Sequence, residues 1–256
     1  MAFAHPGSVL VLVARNAERL EGVAREILRS TQSVTIATLP LDLTHPDALA
    51  RLDATLAANG VYADILINNA GIGLAGRFVS HAPEQLDALI DLNIAALTRW
   101  SRHVLPGQLV RGRGGIINIA SLGGYIPAPQ QAAYYASKAY VLSLSEAIAA
   151  ETAGRGVHVL AVAPGPVNTE FHSKMGARSA LYRRLIPSHS ARQVAVGTRI
   201  AFLLGVRVLV PGPISLLTSA ALRLLPHRFT LPVVAMLLRP QSGPVMDPLA
   251  PVPPKF

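Results

Sequence analysis

The stretch Asp64-Ile65-Leu66-Ile67-Asn68-Asn69-Ala70-Gly71 joins a short apolar run to a polar turn that ends in glycine. Similar apolar runs alternate along the chain with longer segments of helical spacing; the six runs are residues 9–13, 34–39, 64–67, 115–120, 157–162 and 207–210. The helical segments are residues 16–30, 46–58, 83–105, 131–153 and 191–204. This alternation predicts parallel strands joined by crossover helices, and the continuous apolarity of the runs predicts burial on both faces. The sequence therefore predicts an α/β fold with a doubly wound parallel sheet and helices on both faces.

Helix ends and domain limits follow from smaller signals. Residues suited to cap a helix lie near four predicted helix starts, and a glycine follows one helix end; they are Asn16, Thr44, Ser80, Ser190 and Gly60. After residue 169 the sequence becomes irregular and basic, and apolar helical segments follow around 214–225 and 229–238. We expect a core over residues 1–175, a helical substrate-side cap with the last strand over 176–239, and a flexible proline-rich tail over 240–256.

The composition excludes several classes of protein. Hydrophobic residues make up 51% of the 256 residues, which is enough for a sizeable core and excludes a disordered chain. Cysteine is absent, so there is no disulfide, thiolate zinc site or cysteine nucleophile. The net charge is +9, but the basic residues are spread along the chain rather than clustered, so we expect no nucleic-acid partner. The eight histidines show no ligand spacing with acidic residues, so we expect no metal.

The apolar stretches do not predict a spanning helix. The longest, residues 208–222, is short and contains Pro211, Gly212 and Pro213. The start of the chain lacks the basic residues and cleavage site of a signal peptide, and we expect a cytoplasmic protein. The apolar segment 216–238 leaves a membrane-peripheral contact as an alternative to an oligomer interface or a substrate lid.

One helical segment carries a candidate acid–base pair. Tyr134 and Lys138 are four residues apart and so share a helix face, and Ser121 follows a predicted strand thirteen positions before Tyr134. For a phenol with a pKa near 10 to act at neutral pH, its anion must be favoured by roughly 4 kcal/mol, and a neighbouring ammonium supplies much of this. Taken alone, such a pair is more often an ordinary surface contact. The Ser121 hydroxyl is expected to hold a carbonyl oxygen beside the phenol.

Several motifs in order resemble the short-chain dehydrogenase/reductase family over about residues 2–171. Asn68-Asn69-Ala70-Gly71 matches the family's NNAG motif, residues 164–169 resemble its nicotinamide-contacting segment, and the catalytic tetrad is matched by Asn93, Ser121, Tyr134 and Lys138. The resemblance implies a Rossmann-like fold. It also implies that Tyr134 gives a proton to a carbonyl oxygen, Lys138 binds the nicotinamide ribose and lowers the pKa of the phenol, and Ser121 orients the substrate. Asn93 is implied to help hold a proton-relay water.

The resemblance further implies a nicotinamide cofactor. Contacts to it are implied for Asn69, Ala70, Gly71, Pro164, Gly165, Val167 and Thr169, as well as for Tyr134 and Lys138. Ala14 and Arg15 follow the run 9–13 where NAD-preferring relatives carry an acid, so NADP(H) is favoured. Asp42 matches the adenine-contacting aspartate, and Leu43 is expected in the same pocket. The alternatives are a solvated side chain for Arg15 and a turn residue before Thr44 for Asp42.

Family members begin with a strand and a TGxxxGIG phosphate-binding loop, and neither pattern precedes the run 9–13. We therefore expect the first strand and the glycine-rich loop to be missing, which leaves two unpaired inner strand edges. Two explanations are open: a natural start upstream of Met1, or a degenerate relative without catalysis. The retained tetrad favours the first.

Together these patterns predict NADP(H)-linked reduction of a ketone or aldehyde, or oxidation of the alcohol. The apolar cap favours a hydrophobic carbonyl substrate, and a homo-oligomer is expected. The rival from another class is a binding or regulatory protein on the same scaffold, with no turnover.

Overall fold

The computed structural model describes residues 2–177, 181–182 and 188–239, in which strands and helices alternate. The first half contains β1 (Val9–Ala14), α1 (Ala17–Ser30), β2 (Thr35–Pro40), α2 (Ala48–Ala58) and β3 (Ile65–Asn68). Asn16 caps α1, since its Oδ1 accepts a hydrogen bond from the Arg19 N–H at 2.7 Å. The expected tail, residues 240–256, lies outside the described residues.

The second half continues the alternation to the last described residues. Its regular elements are β4 (Gly114–Ile119), α5 (Ala132–Glu151), β5 (Val157–Val162), α6 (Phe171–Lys174), α7 (Ala191–Leu203), β6 (Val208–Leu209), α8 (Pro213–Leu224) and α9 (His227–Leu238). A short 3₁₀ helix, Leu122–Tyr125, lies between β4 and α5. Ser190 caps α7 as predicted, because its hydroxyl accepts from the Gln193 N–H at 3.1 Å.

Two of the predicted caps are wrong. Asp47, not Thr44, precedes α2, because Thr44 is held in a turn by Asp42. Ser80 ends a 3₁₀ helix, Phe78–Ser80, and the next helix starts after Ala82. Gly60 does follow α2, with a left-handed φ of 63° that favours glycine.

The segment 83–105, predicted as one helix, consists of three helical segments in the structure. It divides into α3 (Pro83–Ile90), a π-helical stretch (Asp91–Ala96) and α4 (Leu97–Arg111). The wider π turn lies in the middle of the segment and contains Asn93. A π turn of this kind shifts the facing of the helix by about one residue, and it is often found at functional sites.

All strand pairs in the described chain are parallel, as predicted. Strands β3, β4, β5 and β6 form one sheet in that order, and β1 and β2 form a second. Alternate residues of β4 and β5 face opposite layers: Ile116 and Val159 lie in a cluster with α4 and α5, and Ile117 and Leu160 lie in a cluster with α7. The fold is therefore Rossmann-like, with a doubly wound parallel sheet covered by helices on both faces.

The two sheets are not joined by hydrogen bonds. In the part of the chain that the structure describes, no strand lies between β1 and β3, and Ile65 and Ile67 of β3 are 41% and 40% exposed. One apolar cluster, centred on Trp100, contacts both sheets through Val11 of β1 and Leu66 of β3. Side-chain packing alone therefore links these strands, and their facing edges are open as the sequence predicts.

The division into core and cap stays a prediction, but two contacts bear on it. Strand β6 pairs with β5, and α7 covers the same sheet, so residues 191–209 belong structurally with the sheet. Helix α8 instead contacts the 3₁₀ helix Leu122–Tyr125. No helix within the described part of the chain is both long and apolar enough to cross a membrane.

Candidate functional site

The candidate residues lie after the carboxyl ends of the parallel strands. β1 ends at Ala14, β3 at Asn68, β4 at Ile119 and β5 at Val162, and each is followed by residues singled out in the sequence. In open parallel sheets ligands bind at this edge. The fold therefore brings segments that are distant in sequence to one side of the molecule.

Tyr134, Ser121 and Lys138 form the centre of the site. Tyr134 and Lys138 lie in the first turns of α5 and are 8% and 6% exposed. The Ser121 side chain lies close enough to the Tyr134 hydroxyl to lower the pKa of the phenol. Ser121 itself begins the 3₁₀ helix, and its Oγ accepts from the Gly123 N–H at 3.1 Å. The serine is thus fixed by the backbone and directed at the phenol.

The acidity of Tyr134 is set mainly by its burial. Burial raises the pKa of the phenol above its ordinary value, and the Ser121 side chain lowers it by less. The Lys138 Nζ lies 5.9 Å from the centre of the Tyr134 ring. The expectation from sequence was an anion favoured by the ammonium; in this closed arrangement the desolvation of the phenol has the larger effect.

Lys138 is a buried ammonium with one identified acceptor. Its Nζ donates to the carbonyl oxygen of Ile119, the last residue of β4, at 2.8 Å. Burial lowers its pKa from 10.5 to about 8. An ammonium has three donors, so two remain for a ligand at this edge of the sheet.

Asn93 uses its side chain to hold the turn that follows β3. Its Oδ1 accepts from the Ile72 N–H at 2.9 Å, and its Nδ2 donates to the Ile72 carbonyl at 2.8 Å and to the Ser137 Oγ at 3.1 Å. Ser137 in turn donates to the Tyr134 carbonyl at 2.7 Å. This chain of bonds connects the π-helical stretch to the turn of α5 that carries the phenol.

Gly71 lies directly against Asn93 and Lys138. A Cβ at this position would be 3.1 Å from the Asn93 Oδ1 and 3.6 Å from the Lys138 Nζ, which leaves little room for any other residue. Asn69 begins the same turn, with its N–H donating to the Ile67 carbonyl at 3.1 Å. Gly71 therefore lies beside Asn93 and Lys138, and the cofactor contacts of Asn69, Ala70 and Gly71 stay a prediction.

A buried polar network beneath the site was not identified from the sequence. The Asn68 Nδ2 donates to the Asn118 Oδ1 at 2.8 Å and to the Ser101 Oγ at 3.0 Å, and the Asn118 Nδ2 donates to the Ser145 Oγ at 2.9 Å. These bonds link β3, β4, α4 and α5. The signal that was available is Asn118 itself, an amide inside the otherwise apolar run 115–120.

The segment after β5 is held from two sides. The Pro164 carbonyl accepts from the Leu122 N–H at 2.9 Å, and His189 exchanges backbone bonds with Pro166 and Asn168, each at 2.9 Å. A Cβ on Gly165 would lie 2.8 Å from the Ser215 Oγ of α8. This loop is therefore fixed against the serine turn and against a C-terminal helix.

Val167 and Thr169 lie in the outer part of the same loop. Val167 forms an isolated parallel bridge with His189, and the Thr169 N–H donates to the Val167 carbonyl at 2.9 Å. The Thr169 Oγ1 accepts from the Phe171 N–H at 3.4 Å, at the start of α6. Thr169 therefore connects the loop to the segment that covers Tyr134.

Arg15, Asp42 and Leu43 lie together at the ends of β1 and β2. The Arg15 Nη1 is 3.9 Å from the Asp42 Oδ2, and the Arg15 side chain is 75% exposed. The Asp42 Oδ1 accepts from the N–H and the hydroxyl of Thr44, and these bonds, more than Arg15, lower the pKa of Asp42. The Leu43 carbonyl accepts from the Trp100 Nε1 at 3.2 Å. Asp42 is thus a turn residue and a partner of Arg15 at once.

Apolar residues close over the phenol. The Phe171 ring lies 5.5 Å from the Tyr134 ring, and Leu89 and Met175 belong to the same cluster. A further cavity of about 500 Å³, mostly apolar, lies beside Tyr135 and is lined on one side by Leu231 of α9. The surroundings of the phenol are therefore apolar on the side where Phe171 covers it. Within the described ranges, no three His, Cys, Asp or Glu side chains are grouped as metal ligands are.

Known proteins resemble the chain in sequence and in fold. The family model for short chain dehydrogenase matches residues 1–180. An uncharacterized oxidoreductase of Staphylococcus saprophyticus is 33% identical over 198 residues, which cover 73% of this chain and 84% of that protein. A short-chain dehydrogenase of Sphingobium yanoikuyae in complex with NADPH superposes with a TM-score of 0.73 and 33% identity, covering 81% of this chain and 79% of that chain. A bulky-bulky ketone specific alcohol dehydrogenase of Comamonas testosteroni superposes with a TM-score of 0.68 and 31% identity, and the match covers 80% of this chain and 76% of that chain.

Proposed function

The chain belongs to the short chain dehydrogenase family of oxidoreductases, and from this premise we propose that it is an NADP(H)-dependent enzyme that reduces a ketone or aldehyde, or oxidises the corresponding alcohol. The observation that carries the proposal is the buried Tyr134 side chain, whose phenol lies beside the Ser121 side chain and whose helix position is one turn from Lys138. A phenol, a hydroxyl and an ammonium in this order suit proton transfer to a carbonyl oxygen.

In the proposed reaction Tyr134 gives its proton to the carbonyl oxygen of the substrate. The Ser121 hydroxyl holds the same oxygen, and its anchorage by the Gly123 N–H keeps it in place. When bound, the nicotinamide supplies the hydride. Lys138 holds the ribose with its free donors and favours the tyrosinate that proton transfer leaves. Asn93 positions the 71–72 turn and, through Ser137, the start of α5; that it also holds a relay water remains a proposal.

Two groups of residues fit the ends of a dinucleotide. At the nicotinamide end, Lys138 has free donors, and the contacts proposed are Asn69, Ala70, Gly71, Pro164, Gly165, Val167 and Thr169. At the adenosine end, the exposed guanidinium of Arg15 suits a 2′-phosphate, beside Asp42 and Leu43. The NADPH in the Sphingobium structure supports the choice of NADP(H) over NAD(H).

A hydrophobic carbonyl compound is the proposed substrate. Phe171, Leu89 and Met175 belong to one apolar cluster with Tyr134. The Comamonas enzyme, which is specific for bulky ketones, supports a substrate of similar size. We also propose a cytoplasmic homo-oligomer. The exposed stripe Val196, Ile200 and Leu203 on α7 supports assembly, because these residues recur at helical spacing on one face.

The test is Tyr134→Phe, with NADPH oxidation followed by absorbance and a bulky ketone such as benzophenone as the probe. We expect turnover to fall by at least about a hundredfold, because the proton donor is lost. NADPH binding, measured by calorimetry, should stay within a few-fold, since the ribose contacts of Lys138 remain. Tyr135→Phe is the matched control and should retain turnover.

Two outcomes would contradict the proposal. Near-normal turnover by Tyr134→Phe would show that another group donates the proton. Absence of both NADPH binding and turnover on any ketone or alcohol in the unmodified protein would instead favour the rival, a binding or regulatory protein on the same scaffold that has lost cofactor binding.

A further inference from the structure

Helix α8 presents its apolar side chains outward and its hydroxyls inward. Ser215 and Ser219 are 3% and 5% exposed, whereas Leu216, Leu217 and Leu224 are 56%, 72% and 83% exposed. A helix on the surface of a protein in water normally buries its apolar side. The inverted arrangement leaves α8 with a row of leucines that nothing in the described chain covers.

Helix α9 repeats this pattern. Phe229, Val233 and Met236, spaced to share one helix face, are 58%, 52% and 52% exposed, and Thr230 is buried. Both helices lie against the same part of the molecule: Arg223 of α8 stacks over the Tyr125 ring, and Leu231 of α9 lines the cavity beside Tyr125. We call the six exposed side chains on the two helices the α8–α9 face; they are Leu216, Leu217, Leu224, Phe229, Val233 and Met236.

In the stretch of sequence that contains the α8–α9 face, residues 171–245, every Asp, Glu, Lys or Arg position is a Lys or Arg. Between residues 171 and 245 the chain has ten Lys and Arg and no Asp or Glu, whereas residues 1–170 have slightly more acidic than basic residues. The basic residues are spread along the whole chain, whereas the acidic residues lie almost entirely in residues 1–170. The net charge of +9 therefore arises from the C-terminal third. Arg228 and Arg239 are exposed on or beside α9, and the Arg228 guanidinium lies 4.6 Å from the Phe229 ring centre.

We propose that the α8–α9 face docks the protein onto an anionic lipid bilayer. Its leucines, phenylalanine and methionine enter the boundary between headgroups and acyl chains, and the neighbouring arginines bind lipid phosphates. Each helix has twelve residues and is about 18 Å long, too short for a hydrocarbon core of about 30 Å, so both lie in the plane of the interface.

A second copy of the chain fits this face less well than a bilayer. Arg223 of α8 is paired with Glu146 of α5 at 3.8 Å, but residues 171–245 contain no acid, so a symmetric contact would place Arg228 and Arg239 of one copy against those of the other. Anionic headgroups supply the missing charge. Ser215, on the inward side of α8, lies against Gly165, so α8 stands between a docked bilayer and the candidate site.

Vesicle flotation of the whole chain tests the proposal. One set of vesicles contains phosphatidylcholine and phosphatidylglycerol, and the other contains phosphatidylcholine alone. We expect the protein to float with the anionic vesicles at least about tenfold more than with the neutral ones. Leu217→Gln/Phe229→Gln and Arg228→Gln/Arg239→Gln should each lose most of this binding. Val110→Gln, which replaces an 88% exposed apolar residue on α4, is the matched control and should bind as the parent does.

The variants alter exposed side chains, and circular dichroism verifies that they fold. Equal flotation by the parent and Leu217→Gln/Phe229→Gln would overturn the proposal, as would no flotation of the parent. A dimer in sedimentation that this double variant dissociates, with no flotation, would assign the face to a second copy. Flotation requires neither NADPH nor turnover, so its failure is distinguishable from failure of the proposed enzymatic function.

Discussion

Lys138 combines a functional role with a cost to the fold. At 6% exposure its ammonium has lost its water, and burial lowers its pKa from 10.5 to about 8. Between about pH 8 and 10.5 the unfolded chain therefore binds more protons than the folded one, and stability rises with pH across this window. The full difference of pKa corresponds to about 3 kcal/mol. At neutral pH this cost is present in full.

We predict that the free energy of unfolding of the protein increases from pH 8 to pH 10, and that Lys138→Met removes most of the increase. Above pH 10 stability should fall again, because burial raises the pKa values of Tyr134 and Tyr135 and the folded state then retains protons that the unfolded chain releases. Urea unfolding followed by circular dichroism at each pH measures both effects. A variant with the same rise as the parent would exclude Lys138 as its source.

Arg15 is the residue on which the choice of cofactor depends. Arg15→Ala should weaken NADPH binding by about 1.5 to 3 kcal/mol, the scale of a charge-assisted hydrogen bond, and affect NADH much less. The control is Arg29→Ala, which removes an arginine from the last turn of α1, at the opposite end of that helix from Arg15. Calorimetric titration with both cofactors is the measurement, and equal losses would remove the argument for NADP(H).

At the scale of elements, Asn118 on β4 connects its own strand to β3 and α5. Its amide accepts from Asn68 on β3 and donates to Ser145 on α5 at a position that is fully buried. Asn118→Ala should destabilise the fold by about 2 to 4 kcal/mol, because buried partners are left unpaired and a small cavity forms. Thermal unfolding measures this, and Asn59→Ala beyond the end of α2 is expected to cost well under half as much. Similar losses for both would argue against the network.

The elements show what a sequence pattern determines and what it does not. The six apolar runs correspond to the six strands of the described chain, because a strand buried on both faces needs a continuous run of apolar residues such as 157–162. The π-helical stretch at 91–96 was missed, since one extra residue in a turn barely disturbs the apolar spacing over 83–105. Thr44 was misassigned as a cap because its local sequence also suits the Asp42 turn.

At the scale of the whole molecule, the sequence predicted which residues form a tetrad, but not how they are packed. The positions of Ser121, Tyr134 and Lys138 follow from strand and helix order, which the pattern contains. The closure of Phe171 over the phenol and the outward leucines of α8 depend on contacts between distant segments. Apolar periodicity assigns an apolar face to the interior by assumption, so an inverted helix such as α8 cannot be recognised from it.

The separation of the two sheets predicts unequal stability across the molecule. Amides of β1 and β2 should exchange with solvent through openings of lower free energy than amides of β4 and β5, because only side-chain packing connects β1 to β3. Leu52→Ala, in the cluster around Trp100, should lower the opening energy of β1 and β2 by about 2 to 4 kcal/mol and leave β4 and β5 little changed. Val159→Ala, in β5, should instead lower the opening free energy of both sheets. Hydrogen exchange resolved by strand is the measurement, and uniform protection would contradict it.

The cluster between the sheets also gives the protein an optical label of its own. Trp100 is the single tryptophan of the sequence, is 5% exposed, and donates to the Leu43 carbonyl beside Asp42 and Arg15. Its emission therefore comes from one known place, at the junction of the sheets and next to the proposed adenosine end of the site. A red shift of the tryptophan emission on mild heating or in dilute denaturant would show that the junction between the sheets opens. Quenching of the emission by added nucleotide would show that the proposed adenosine end of the site is occupied. Neither measurement requires an attached dye.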